Sequence, residues 1–121
     1  MTPHTFTEAD FVEYEAAVRH WLDAFGITDW HVTITHGQIG RGVNAQTQYN
    51  TTAKNVSFRL THTTEGDYGM LLDPKRLALH EVLHLLLAEY CETTAKLGDP
   101  VHDLVIAQEH GVLNKLMRVL K

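Results

Sequence analysis

The sequence predicts an α+β domain in which helices pack on one small sheet. The chain has 121 residues, which is enough for one hydrophobic core and too few for two domains, so residues 1–121 are expected to form a single domain. Helical apolar patterns lie towards both ends of the chain, and alternating patterns lie between residues 30 and 61. The expected order is an N-terminal helix, about three strands in an antiparallel or mixed sheet, and two further helices.

The first helix is predicted over residues 7–25. Thr7 followed by Asp10 matches a capping pattern, and Gly26 is a plausible stop. Apolar side chains recur at helical spacing within this segment: Phe11, Val18, Trp21, Leu22 and Phe25.

The strands are predicted from alternation of apolar and polar residues. "WHVTITH" (30–36) alternates in this way, as expected of a half-buried strand. "NAQTQYNTTAKNVSFRLT" (44–61) indicates a hairpin whose second half buries Val56, Phe58 and Leu60. "HTTEGDYG" (62–69) is expected to be a loop.

Two Asp-Pro pairs predict the starts of the last two helices. Asp73 would cap a helix with Pro74 in its first turn, and Asp99-Pro100 repeats the pattern. The segment "TTAKLG" (93–98) is expected to end the first of these helices, and the second is expected to run to the C-terminus.

Composition excludes several classes of function. A net charge of −5 does not favour nucleic acid or an anionic membrane as partner. Cys91 is the single cysteine, so no internal disulfide forms, which fits a reducing compartment. No secretory signal is visible, and the longest apolar run is too short and too polar to span a bilayer. A soluble cytoplasmic protein is the expectation.

The stretch "RLALHEVLHLLLAEY" (76–90) contains an H-E-x-x-H motif in the most apolar helix of the chain. His80 and His84 are four residues apart, so their imidazoles project from one helix face and can reach one metal ion. Zn²⁺ suits such ligands and keeps a further position for water. Glu81 stands beside this position as the predicted general base. The alternative is a helix whose histidines only bond to neighbouring residues.

A third ligand is predicted on the last helix. Glu109 falls within an apolar stripe, where a carboxylate needs a cation or another partner. The stripe comprises Val101, Val105, Ile106, Val112, Leu113, Leu116, Val119 and Leu120, with Lys115 and Arg118 opposite. His110 and then His102 are the alternatives as ligand, and an ion pair of Glu109 with Arg59 or Arg76 is the alternative to coordination.

"HEVLHLLL" followed by "QEHGVLNKLMRVL" resembles the zincin metallopeptidases of the gluzincin type. The order of elements is also similar to that of small metallopeptidases encoded by phages and prophages. The resemblance implies a minimal zincin-like domain with His80, His84 and Glu109 as zinc ligands and Glu81 as the catalytic acid/base.

The chain departs from relatives of this type in two places. Metzincins have a third motif histidine where this chain has Tyr90, so that branch is excluded. The larger C-terminal subdomain that stabilises the oxyanion in gluzincins is not expected in a chain of 121 residues. His110, Tyr68 and Tyr49 are the candidates for that role.

The function expected from the sequence is zinc-dependent hydrolysis of a peptide or protein substrate. The substrate is expected to lie extended along an edge strand, most simply the one containing Val56 to Thr61. The competing expectation is a non-catalytic zinc-binding module, in which the metal holds two helices together. A DNA-associated protease is disfavoured by the acidic balance of the chain.

Overall fold

The structure is a computed structural model that describes residues 3–40, 42–64, 72–88, 109 and 111–120. It is an α+β fold, as predicted. In chain order the elements are β1 (His4–Thr5), α1 (Glu8–Ala24), β2 (His31–His36), β3 (Ala45–Asn50), β4 (Asn55–Leu60), β5 (Thr63–Thr64) and α2 (Pro74–Leu86). Glu109 and residues 111–119 are helical and belong to a third helix, α3.

Both described helix starts carry the caps that the sequence predicts. The Thr7 hydroxyl accepts a hydrogen bond from the Asp10 amide at 3.1 Å, and the Asp10 carboxylate accepts one from the Thr7 amide at 2.8 Å. The Asp73 carboxylate accepts from the Lys75 amide at 3.2 Å, with Pro74 in the first helical turn. Because α2 begins at Pro74, the motif residues lie in its second and third turns.

The main sheet has three strands in the order β2-β4-β3. β3 and β4 form the predicted antiparallel hairpin, whereas β2 and β4 are parallel. Residues 56–61 were predicted to form an edge strand. That prediction is wrong, because β4 lies between β2 and β3. The edge on the hairpin side is β3.

A second, two-stranded sheet joins β1 to β5 in antiparallel register. It was not predicted, and β5 lies in the segment expected to be a loop. Two residues per strand are too few for an alternation pattern to be recognised.

The core lies between the sheet, α1 and α2. Its buried side chains include Tyr14 and Val18 from α1, Val56, Phe58 and Leu60 from β4, and Ala78 and Val82 from α2. A second cluster, Leu79, Leu83, Leu113 and Met117, joins the other side of α2 to α3. α2 thus packs on both sides, as its apolar sequence predicts.

The buried face of α3 differs from the predicted stripe. Leu113 and Met117 are buried, whereas Val112 and Val119 are 43% and 78% exposed. Lys115 and Arg118 are exposed, as expected. The predicted end of α2 at 93–98, the predicted start of the last helix at 99–100, and Cys91 lie outside the described residues; α2 itself ends at Leu86, with Leu87 as its C-cap.

Candidate metal centre

The two histidines of the motif converge on one point. His80 Nε2 and His84 Nε2 are 3.2 Å apart, and their rings are inclined at 76°. Two Zn–N bonds of ordinary length at a tetrahedral angle place their nitrogens about 3.4 Å apart. The helix therefore already holds the two donors at the separation that a single bound ion requires.

Glu81 lies with His80 and His84 in one group of three side chains. One ligand atom each from His80, Glu81 and His84 lies within 4.8 Å of the others, and this group could hold a metal ion. The Glu81 residue is only 6% exposed. A buried carboxylate beside two imidazole nitrogens makes the centre suitable for a cation.

Thr47 on β3 positions Glu81. Its hydroxyl lies 2.7 Å from Glu81 Oε1 and 3.2 Å from the Glu81 main-chain oxygen, and both are acceptors. Thr47 was not predicted from the sequence. The hairpin register gives only its inward direction, because Thr47 pairs with buried Phe58 and shares the face of that residue.

Glu109 reaches the centre from α3. Its Oε1 accepts a hydrogen bond from His84 Nδ1 at 2.8 Å, and its side chain is 17% exposed. Nδ1 is the ring nitrogen that faces away from His80, since Nε2 is the atom at 3.2 Å from it. With the proton held on Nδ1, the lone pair of His84 lies on Nε2, where a metal would bind.

The structure thus brings His80, Glu81 and His84 together. Glu109, the predicted third ligand, contacts His84 from the Nδ1 side and does not belong to this group of three. The alternative ion pair of Glu109 with Arg76 is not formed: the Arg76 guanidinium donates to the main-chain oxygens of Met117 at 2.7 Å and Leu120 at 3.0 Å. His110 and His102, the alternative ligands, and Tyr68 lie outside the described residues.

Tyr49 is the oxyanion candidate that the structure places at the site. It is 40% exposed and lines a cavity of about 420 Å³ together with Thr47, Glu81, His84 and Glu109. The cavity follows the face of β3 from Ala45 to Tyr49. A polar side chain therefore borders the space in which a ligand of the metal would lie.

Tyr14 on α1 is buried behind α2, the helix that carries Glu81. Burial raises the pKa of its phenol well above the ordinary value, and the Glu81 carboxylate raises it further. The Tyr14 hydroxyl forms no hydrogen bond within the described part of the chain. The side chain behind Glu81 is consequently an uncharged phenol.

Comparisons with protein-family models, with curated proteins and with solved structures give no match. Among the described helices, none combines the length and apolar character needed to cross a membrane. Inference about the site therefore depends on its own geometry.

Proposed function

We propose that the protein is a zinc-dependent peptidase. The observation that carries the proposal is the 3.2 Å separation of His80 Nε2 and His84 Nε2, with the buried Glu81 carboxylate next to them and a strand edge alongside. A helix that merely buried two histidines would have no need for a carboxylate at the same point.

The donor set fits zinc. His80 and His84 would bind through Nε2, and Glu109 remains the predicted third ligand; imidazole and carboxylate are common zinc ligands. Zinc held there supplies Lewis acidity, which polarises a substrate carbonyl and lowers the pKa of water.

Glu81 is the proposed general acid/base. Its carboxylate takes a proton from the attacking water as the carbon–oxygen bond forms. It then gives that proton to the leaving nitrogen as the carbon–nitrogen bond breaks. Thr47 supports this role, because its hydroxyl holds one carboxylate oxygen at 2.7 Å and so orients the group.

The substrate would lie extended along β3. In the described part of the chain no strand pairs with the outer edge of β3, whereas β4 is paired on both sides. Main-chain hydrogen bonds to this edge would hold a peptide across the cavity that contains His84 and Glu81. Tyr49, on the same strand, is the proposed donor to the oxyanion.

Two roles are proposed for Glu109, and they predict different losses of metal affinity when its side chain is removed. As the third ligand it would move from Nδ1 of His84 to the metal; as an orienting group it would stay on Nδ1. Loss of an orienting carboxylate lowers metal affinity about 10- to 100-fold, and loss of a ligand lowers it more. Metal titration of Glu109→Ala and His110→Ala variants separates these roles and shows whether His110 is the ligand instead.

The Glu81→Gln variant tests the enzymatic proposal. It keeps the side-chain volume and removes the base, so zinc content stays near that of the wild type while peptide hydrolysis falls by about 10²- to 10⁴-fold. Elemental analysis measures the zinc, and mass spectrometry of a peptide library measures hydrolysis. Glu13→Gln on the exposed part of α1 is the matched control. Hydrolysis that persists in Glu81→Gln contradicts the mechanism.

A non-catalytic zinc module is the second proposal, and the His84–Glu109 contact between α2 and α3 favours it. In that case zinc stabilises the packing of the two helices and the Glu81→Gln substitution changes nothing but local stability. Wild-type protein that binds zinc and hydrolyses no peptide in the library supports this second function.

A further inference from the structure

A cavity of about 580 Å³ lies beside the metal centre, towards the start of α2. It is separate from the cavity along β3, yet His80, Glu81 and Ala45 line both. A ligand held at the metal centre can therefore extend into either space. The larger cavity has no role in the function proposed so far.

The lining of this cavity is positively charged on the side away from the metal centre. Arg76 and Arg118 line it, and Glu81 is the one acidic residue among its described lining residues. Arg76 precedes His80 by four residues, so its backbone lies about one helical turn closer to the start of α2.

Two hydrogen bonds fix the position of the Arg76 guanidinium. Two of its N–H groups are bound to the main-chain oxygens of Met117 and Leu120, which end the last turn of α3. These carbonyls carry only partial negative charge. No carboxylate pairs with Arg76 in the part of the chain that the structure describes. The positive N-terminal end of α2 adds to the same potential.

Arg118 is the exposed donor of this cavity. It is exposed, and within the described residues it forms no ion pair. Its guanidinium is a planar fork that matches a carboxylate in two hydrogen bonds. Asn114, one turn earlier on α3, adds an amide at the same rim, and buried Leu77 and Met117 line the cavity as apolar residues.

We infer that this cavity is a subsite for a carboxylate of the substrate, recognised by Arg118 and by the field of Arg76. The inference rests on the proposed function, since it requires a ligand anchored at the metal. The apolar lining accepts the methylene stem, and the arginines accept the charge. An acidic side chain next to the scissile bond and the C-terminal carboxylate of a peptide both supply this chemistry.

Binding of four short hydroxamates to the zinc-loaded protein tests the inference without turnover. Each anchors to the metal through its hydroxamate; one carries an acidic side chain, one the matching amide side chain, one a free C-terminal carboxylate and one a C-terminal amide. Isothermal titration calorimetry gives the four dissociation constants. We expect one of the two acids to bind about tenfold more tightly than its amide.

The acid that gains affinity identifies the source of the carboxylate. In the Arg118→Gln variant, the acid should bind only about twofold more tightly than its amide, or less. Lys115→Gln, an exposed cation on the same helix that does not line the cavity, should keep the full gain.

Equal affinity of acids and amides overturns the subsite while leaving the metal centre intact. A gain that Arg118→Gln retains overturns the assignment to Arg118. Failure of the neutral hydroxamates to bind removes the metal centre as the anchor, and the proposed function falls together with the subsite.

Discussion

Thr47 is the residue that connects the strand edge to the proposed base. The Thr47→Val substitution keeps the β-branched shape and removes the hydrogen bond to Glu81 Oε1, which leaves a buried carboxylate with one donor fewer. We expect a loss of about 1–3 kcal/mol in the free energy of unfolding, measured by urea denaturation. Thr33→Val on the exposed side of β2 is the matched control and should change stability by less than about 0.5 kcal/mol. Equal effects of the two substitutions would contradict the role given to Thr47.

Tyr14 predicts a pH dependence of a definite sign. Its pKa is raised in the folded protein by burial and by Glu81, whereas the unfolded phenol ionises near pH 10, the ordinary value. Above about pH 10 the unfolded chain holds fewer protons than the folded one, so stability falls as pH rises, by about 1.4 kcal/mol per pH unit. The Tyr14→Phe variant should lack this loss.

At pH 7 the same variant should be as stable as the wild type or more stable, because the Tyr14 hydroxyl has no hydrogen-bond partner in the described part of the chain. Urea unfolding at pH 7 and pH 11 measures both effects. A loss of more than about 1 kcal/mol at pH 7 would show that the hydroxyl makes an interaction worth keeping.

At the scale of single residues, the sequence predicts the two histidines of the candidate metal centre better than the residues that contact them. The i, i+4 spacing of His80 and His84 is a property of any α-helix, so their convergence follows from the motif alone. The contact of Thr47 with Glu81 depends on how β3 lies against α2, and the approach of Glu109 to Nδ1 of His84 depends on the rotation of α3. Neither arrangement is contained in a local pattern.

Among the elements, those with local signals were predictable. Capping residues predicted the starts of α1 and α2, and alternation predicted the β3–β4 hairpin. The parallel pairing of β2 with β4 has no local signal, because it is decided by which strand covers the core between two others. For that reason the prediction that residues 56–61 form an edge strand was wrong, and the edge on the hairpin side of the sheet is β3.

Arg76 makes a prediction about how α3 is held on α2. Its two hydrogen bonds to the main-chain oxygens of Met117 and Leu120 connect the first turn of α2 to the last turn of α3. Arg76→Gln should lower the free energy of unfolding by about 2 kcal/mol, since these bonds carry a charged donor. Lys75→Gln, its exposed neighbour, should change it by less than about 0.5 kcal/mol. Guanidinium denaturation compares the two, and equal losses would contradict the connection.

For the whole molecule, metal binding and folding should be linked. Zinc at a hundredfold excess over its dissociation constant stabilises the folded state by about 2.7 kcal/mol, which for a chain of this size raises Tm by about 10 °C. Thermal unfolding with zinc and with a chelator measures the shift. A double His80→Ala, His84→Ala variant should show none, and His31→Ala at an exposed position should keep it. A full shift in the double variant would place the metal elsewhere.

The outer edge of β3, to which no strand pairs in the described part of the chain, has a consequence for behaviour in concentrated solution. Its sequence, "AQTQYN", contains no charged residue and no proline, the features that usually prevent edge strands from joining to one another. Two copies could pair along this edge as strands do in a growing fibril. The glutamine and asparagine side chains of the strand would then stack on one another. We expect self-association to increase with concentration and to stop when a peptide occupies the edge. Light scattering with and without such a peptide measures this self-association. A decrease when the peptide is present would show that β3, the strand proposed to bind the substrate, is also the strand through which copies associate.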